Sequence, residues 1–284
     1  VTRIAGDSSD YAFRLCKVIG DVVMPTDYGF SFPSVTHIIG EILAKPPSAM
    51  AWWGYRIGLS AIHEALLDDP GAIIDAETPE LLEAALKERG VSPNMKRDAA
   101  GERGTAAHDI LEALALGEDR QEIWQAATAE SEMYETQYGH AVISWWDEQI
   151  QPAHEAGAID IIESERPVWS ERHRYAGTLD LALGWNIPEA GWEVIDAKTH
   201  KPASGFTKAG RGPAYIADLA QIRAYRMAWE ELGLGQTISQ RVVVFRPNGK
   251  YLEDTREVPE DFFLLLRRLY DMKQEFDQGG VEVE

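Results

Sequence analysis

The sequence predicts a mixed α/β or α+β fold, with a helical first half and a second half that runs β-β-β-α-β-β-α. Two observations carry this. Apolar residues recur at helical spacing through most of residues 31–155, and from residue 158 they gather instead in short runs rich in β-branched and aromatic residues. The chain then closes on two helical stretches separated by a strand pair that flanks the turn dipeptide Asn248-Gly249.

Residues 1–30 read as irregular or as a short strand pair, with CKVIGDVVMP the one apolar run. FPSVTHIIGEILAKPPSAMAWWGYRIGLSAIHEALL reads as helices broken at Pro46-Pro47, the first capped by Ser34, whose side-chain oxygen can accept an orphan amide hydrogen. TPELLEAALKERG is a short helix, with Thr78 as N-cap, Pro79 at the first helical position and Gly90 as its stop. SPNMKRDAAGERG reads as a polar, glycine-bearing link. TAAHDILEALALGE then resumes helical periodicity, with Thr105 able to cap it and His108 in its first turn, and one or two long helices follow to about residue 155.

AIDIIESERPVWS, RYAGTLDLALGW and GWEVIDAKT read as three sequential strands in an antiparallel meander. A glycine-rich loop, KPASGFTKAGRGP, leads into the helix AYIADLAQIRAYRMAWEELG. ISQRVVVFRP and GKYLEDTREV form the hairpin, and PEDFFLLLRRLYDMKQEF is the closing helix. With no internal repeat, residues 1–284 are expected to form a single domain, mostly helical over 1–155 and with the β-β-β-α-β-β-α core over 156–284.

At 284 residues and 45% hydrophobic content the chain can bury a sizeable core. It contains no apolar run of about 18 residues and its first residues lack a secretion signal, so no membrane contact and a cytoplasmic location are expected. The single cysteine, Cys16, excludes an internal disulfide and any cysteine-ligated zinc or iron–sulfur site within one chain. A metal would have to be held by oxygen and imidazole.

The formal charge of -20 argues against a surface that grips nucleic acid everywhere, because phosphate neutralisation needs clustered Lys and Arg. Locally the balance reverses. Residues 198–217 contain no Asp or Glu but carry Lys198, Lys201, Lys208 and Arg211, with His200 among them.

Asp196-Ala197-Lys198, taken alone, is the polar end of a strand, with a surface ion pair worth about 0–1 kcal/mol. Strand alternation puts Asp196 and Lys198 on one face with Trp192 and Val194. In YAGTLDLALGW, Leu179, Leu181 and Leu183 form an apolar face and Asp180 lies opposite it with Thr178 and Ala182. Asp180 and Asp196 thus supply two carboxylates on neighbouring strands, hard ligands that suit Mg²⁺ or Mn²⁺. His108 has Glu112 one turn later on its face. Gln221 and Tyr225, four apart, share a face of the helix after the basic loop.

Taken together, GTAAHDILE, YAGTLDLAL, VIDAKTHK and LAQIRAYRMAW, in this order and spacing, resemble the RecB-like branch of the PD-(D/E)xK nuclease superfamily, including phage-encoded exonucleases. The upstream FPSVTHIIGEILAKPPSAMAWWGYR is similar to the helical lead-in of the phage members, so the likeness spans roughly residues 31–275. It implies a restriction-endonuclease-like core, a central mixed sheet flanked by helices, and metal-dependent hydrolysis of linear single- or double-stranded DNA. It also implies a place beside phage recombination or replication proteins in a bacterial host cell.

The resemblance further implies that His108, Asp180, Asp196 and the Ala197 backbone carbonyl hold the metal, with Glu165 as an outer ligand. Lys198 would position or activate the attacking water and offset charge on the phosphate. Gln221 and Tyr225 would support the site or touch DNA, and Lys201, Lys208 and Arg211 could meet its backbone. Some relatives carry four cysteines for an iron–sulfur cluster; this chain cannot, which places it with cluster-free members.

Three other readings compete. A nuclease fold that only binds nucleic acid or a protein partner would be expected to have lost one of His108, Asp180, Asp196 or Lys198. An acidic DNA mimic is at odds with the acid-free span from 198 to 217. An unrelated hydrolase built on His108, Glu112 and His140 or His154 lacks a paired-histidine helix spacing.

Overall fold

The computed structural model describes residues 2–4, 10–19, 22–43, 47–68, 70–74, 76–134, 136–187, 190–200 and 212–278. In chain order, β1 (Thr2–Ile4), β2 (Asp10–Ile19) and β3 (Val22–Pro33) precede α1 (Val35–Ile42), α2 (Pro47–Asp68), α3 (Pro70–Ile74), α4 (Pro79–Glu88) and α5 (Pro93–Ala115). Next come α6 (Arg120–Tyr134), α7 (Tyr138–Trp145), a π-helical turn (Trp146–Ile150) and α8 (Gln151–Glu155). The last part contains β4 (Ile159–Ser170), β5 (Tyr175–Trp185), β6 (Gly191–Lys198), α9 (Ile216–Glu231), β7 (Thr237–Phe245), β8 (Tyr251–Asp254) and α10 (Glu260–Asp277). None of the described helices is long and apolar enough to cross a membrane.

The chain divides into two compact units, one of residues 1–44 and 107–284 and one of residues 45–106. The smaller unit packs Ala61, Ala65 and Leu86 around a helical core with Ile62, Ile73, Leu82 and Val91. α4 starts where the sequence places its cap: the Thr78 hydroxyl accepts from the Leu81 N–H at 3.3 Å.

In the larger unit, five strands lie in the order β4-β5-β6-β7-β8. β4, β5 and β6 are antiparallel neighbours, β6 and β7 are parallel, and β7 and β8 form the antiparallel hairpin. The parallel pair requires a crossover, which α9 supplies. This is the expected mixed sheet.

Helices cover both faces. One core joins Val168, Ala182, Val194, Val242 and Val244 to side chains of α1, α9 and α10, among them Ile38, Trp229 and Phe263. The other joins Leu181, Leu183, Ile195, Val243 and Phe245 to Ile110, Leu111, Val142 and Trp145. Each fully buried Leu or Val contributes about 1.5–3 kcal/mol. The one-sided apolar face expected for β5 is therefore corrected: Ala182 and Leu179 pack in the first core while Leu181 and Leu183 pack in the second.

Three local expectations also change. Residues 1–30 hold three antiparallel strands, β1-β2-β3, where at most a strand pair was expected; Tyr11, Phe13 and Leu15 alternating with Ala12, Arg14 and Cys16 are the period-two signal. α5 starts at Pro93 and runs through the stretch read as a link, with the Ser92 hydroxyl accepting from the Met95 N–H. Thr105 is consequently inside the helix, its hydroxyl donating to the Gly101 carbonyl at 3.3 Å, and caps nothing. The helical tract after residue 120 does form two stretches, one of the expected alternatives, α6 and the continuous run from α7 through α8, joined where Glu130 accepts from the Thr136 hydroxyl and the Gly139 N–H. Ser34 caps α1 as expected, accepting from the His37 N–H at 3.0 Å.

Candidate active site

The ladder between β5 and β6 ends at the pair Leu181–Ile195. One residue further, where Asp180 and Asp196 would oppose each other, the Ala197 N–H donates instead to Asp180 Oδ2 at 2.7 Å. A side chain replaces the next main-chain rung, which leaves a gap between two central strands. β4 adds a third carboxylate on the same row. Ser164 pairs with Leu181 and Arg166 with Leu179, so Glu165 stands opposite Asp180. Its φ of 46° is left-handed, a conformation that costs a non-glycine residue on the order of 1–2 kcal/mol.

Helices close the gap from both faces. From α5, His108 Nδ1 lies 3.6 Å from Asp180 Oδ1 and 3.9 Å from Glu165 Oε1. From α9, Gln221 Nε2 donates to Asp196 Oδ1 at 3.0 Å and to the Tyr225 hydroxyl at 3.1 Å. Tyr225 is held in turn by β5: a Cβ on Gly177 would come within 2.4 Å of its ring. Lys198 Nζ lies 2.6 Å from Asp196 Oδ2.

His108, Glu165 and Asp180 offer three ligand atoms within 4.8 Å of one another. Separations of 3.6–3.9 Å are too long for hydrogen bonds, so these donors converge without satisfying each other. Two carboxylates and an imidazole are a donor set that fits a divalent ion such as Mg²⁺ or Mn²⁺. Glu112, His140 and His154 are not part of this group, and His140 packs against Trp124 instead.

A family profile matches residues 81–284: that of the PD-(D/E)XK nuclease superfamily. The chain belongs to this superfamily. Its members generally hydrolyse phosphodiester bonds with divalent metals, which makes nucleic acid the implied substrate. No curated protein matches the chain. Among solved structures, the crystal structure of SSO0001 is similar over 52% of this chain and 65% of that one, at 16% identity and a TM-score of 0.30.

The electrostatics of this candidate site are those of a crowded acidic pocket around the Lys198 ammonium. Burial pushes the Asp196 carboxyl up, Lys198 pulls it back, and Asp180 adds to the rise. Burial alone would lower the Lys198 ammonium, but Asp196 and Asp180 outweigh it and hold it above its ordinary value. At His108 burial also opposes the charge, and Asp180 and Glu165 together raise the imidazole above its usual range.

The structure thus brings His108, Glu165, Asp180, Asp196, Lys198, Gln221 and Tyr225 into one connected cluster. For Ala197 it fixes the N–H, on Asp180. Lys201, Lys208 and Arg211 lie outside the described residues.

Two contributors are absent from the sequence reading. Asp218, buried at the start of α9, accepts from the Tyr215 N–H at 2.7 Å, sits 3.1 Å from His200 Nε2, and adds its charge to the field on Asp196 and Lys198. Its only sequence signal is an acid in a first helical turn, which reads as a cap. Gly177 carries no chemistry, and its importance depends on a tyrosine 48 residues away.

Proposed function

We propose that this protein is a divalent-metal-dependent deoxyribonuclease of the RecB-like, phage-type branch, acting as an exonuclease on linear DNA. The observation that carries the reading is the convergence of His108, Glu165 and Asp180 on one point, with Lys198 held beside it by Asp196. Bound Mg²⁺ or Mn²⁺ would supply Lewis-acid charge at the phosphate and a more acidic water.

The chain's own residues do the rest. His108, Asp180 and Glu165 hold the ion, with Asp196 and the Ala197 carbonyl completing its surroundings. Lys198, an ammonium pinned at 2.6 Å to a carboxylate, orients the attacking water and offsets negative charge as it grows on the phosphate oxygens. Gln221 fixes Asp196 from the far side, so the carboxylate that positions Lys198 cannot rotate away. The bacterial cytoplasm, with phage recombination or replication proteins as neighbours, is the setting this reading implies.

Linear and covalently closed circular DNA, single- and double-stranded, incubated with Mg²⁺ or Mn²⁺, test it. Linear molecules are expected to shorten from their ends while closed circles persist. Equal cutting of circles replaces exonuclease with endonuclease, and intact substrates under both metals overturn the enzyme reading.

A further inference from the structure

Two cations face each other on the β7–β8 hairpin. Phe245 pairs with Tyr251, and the next backbone bond runs from the Arg246 N–H to the Lys250 carbonyl at 2.8 Å. Residues directly opposed in an antiparallel pair send their side chains to the same face. Arg246 and Lys250 therefore stand side by side, and neither forms an ion pair with a carboxylate among the described residues. Like charges placed opposite each other weaken a hairpin. In a chain with a formal charge of -20, acids are plentiful, yet FRPNGKY, residues 245–251, contains none.

The parallel register puts this pair beside the candidate active site. Lys198 is level with Val244 on β7, and Arg246 is two residues further along, hence on the same face as Val244 and Lys198. With strands about 4.8 Å apart and about 3.3 Å of rise per residue, the Cα atoms of Lys198 and Arg246 are about 8 Å apart. Lys198 at the end of β6, Arg246 just past β7 and Lys250 just before β8 form a row at the edge of the sheet where β6 ends.

The hairpin is also fixed in place. The Gln137 N–H donates to the Pro247 carbonyl at 3.1 Å, and Gly249, at a φ of 74°, leaves room for the Gln137 side chain, whose Oε1 a Cβ there would approach to 2.9 Å.

We propose that Arg246 and Lys250 clamp a backbone phosphate of the nucleic-acid strand, a neighbour of the phosphate attacked beside Lys198. The proposal rests on the nuclease reading for its substrate, and it locates a contact surface on the hairpin, separate from the basic segment that follows β6. A phosphate between the two side chains removes their repulsion and supplies the missing counter-charge.

The test is fluorescence anisotropy of a labelled single-stranded oligonucleotide with the full chain in EDTA, so that nothing is cleaved, across about 50–200 mM salt. Arg246→Ala/Lys250→Ala is expected to bind about tenfold more weakly and to lose about 0.7 from the log–log salt slope, the contribution of one neutralised phosphate on a single strand. Lys250→Glu, which gives Arg246 a cross-strand partner, is expected to melt at a higher temperature than wild type and also to bind more weakly. Unchanged affinity and slope in both variants would overturn the clamp, as would a lowered melting temperature for Lys250→Glu. If inorganic phosphate at matched phosphate concentration raises the wild-type melting temperature as much as the oligonucleotide does, the pair holds a free anion and the strand proposal fails. The two readings separate cleanly: wild type that binds through the hairpin but cleaves no DNA sinks the nuclease and leaves the clamp, whereas cleavage with unaffected hairpin variants does the reverse.

Discussion

Asp180 uses its two carboxylate oxygens for different tasks: Oδ2 accepts the Ala197 N–H at 2.7 Å, and Oδ1 faces His108 Nδ1 at 3.6 Å. The first oxygen substitutes for a rung of the sheet, and the second faces the imidazole at a distance too long for a hydrogen bond. Structure and chemistry meet in one side chain at the point where β5 and β6 part.

Asp180→Asn separates the tasks. An amide oxygen can still accept the Ala197 N–H, so urea denaturation is expected to show a change of less than about 1 kcal/mol. Calorimetric titration with Mn²⁺ is expected to show affinity reduced by at least about 100-fold, since a neutral ligand replaces an anionic one. Equal losses in stability and metal binding would mean that Asp180 is structural only.

Gln221 touches no predicted metal ligand except Asp196, so it acts by positioning. Gln221→Ala is expected to lower kcat about 10–100-fold while KM for DNA changes little, and Gln221→Glu, which sets a carboxylate against Asp196, is expected to be no better. A rise in KM with kcat intact would assign Gln221 to substrate binding instead.

Gly177→Ala drives a methyl group to within 2.4 Å of the Tyr225 ring and is expected to destabilise the fold by about 1–3 kcal/mol. Adding Tyr225→Leu should recover part of that loss, which a double-mutant cycle in urea measures. Additive effects would show that the two residues do not press on each other.

Asp254, level with Asp196 two strands away, gives a pH dependence of its own. Burial would raise its carboxyl, but hydrogen bonds from Arg256 and from the Ala214 N–H outweigh burial and hold it below its ordinary value. A depressed carboxyl stabilises the fold above the unfolded-state pKa of about 3.9, and this contribution fades as pH falls through the folded-state value. Asp254→Asn is therefore expected to cost about 1.5–3 kcal/mol at pH 7, with the gap to wild type closing below about pH 4 in urea titrations. A gap that stays constant with pH contradicts this.

Much of the second half was legible because its periods are clean. Leu181 and Leu183 alternating with Ala182, and Val242 to Val244 in an unbroken apolar run, mark strands whether one or both faces are buried. Both-face burial of β5 was not legible, since alanine and glycine opposite leucine look the same in a half-exposed strand. Gly101 and Gly104 led to a link where α5 is continuous: each costs a helix about 1 kcal/mol, and a long helix absorbs that. The candidate site was visible as an ordered set of motifs, Asp180, Asp196 and Lys198 above all. What could not be read is register. That Glu165 is level with Asp180, and Arg246 two steps beyond Lys198, follows from the hydrogen-bond register of β4 with β5 and of β6 with β7.

The central claim is that Lys198 and the carboxylates around it act on a phosphodiester with a divalent ion. Single-turnover cleavage of an end-labelled linear DNA, with Mn²⁺ or EDTA, measures this for wild type and Lys198→Ala. Wild type is expected to cleave in Mn²⁺ and not in EDTA, and the variant to cleave about 1000-fold more slowly. Cleavage that persists in EDTA, or a variant as fast as wild type, would contradict it.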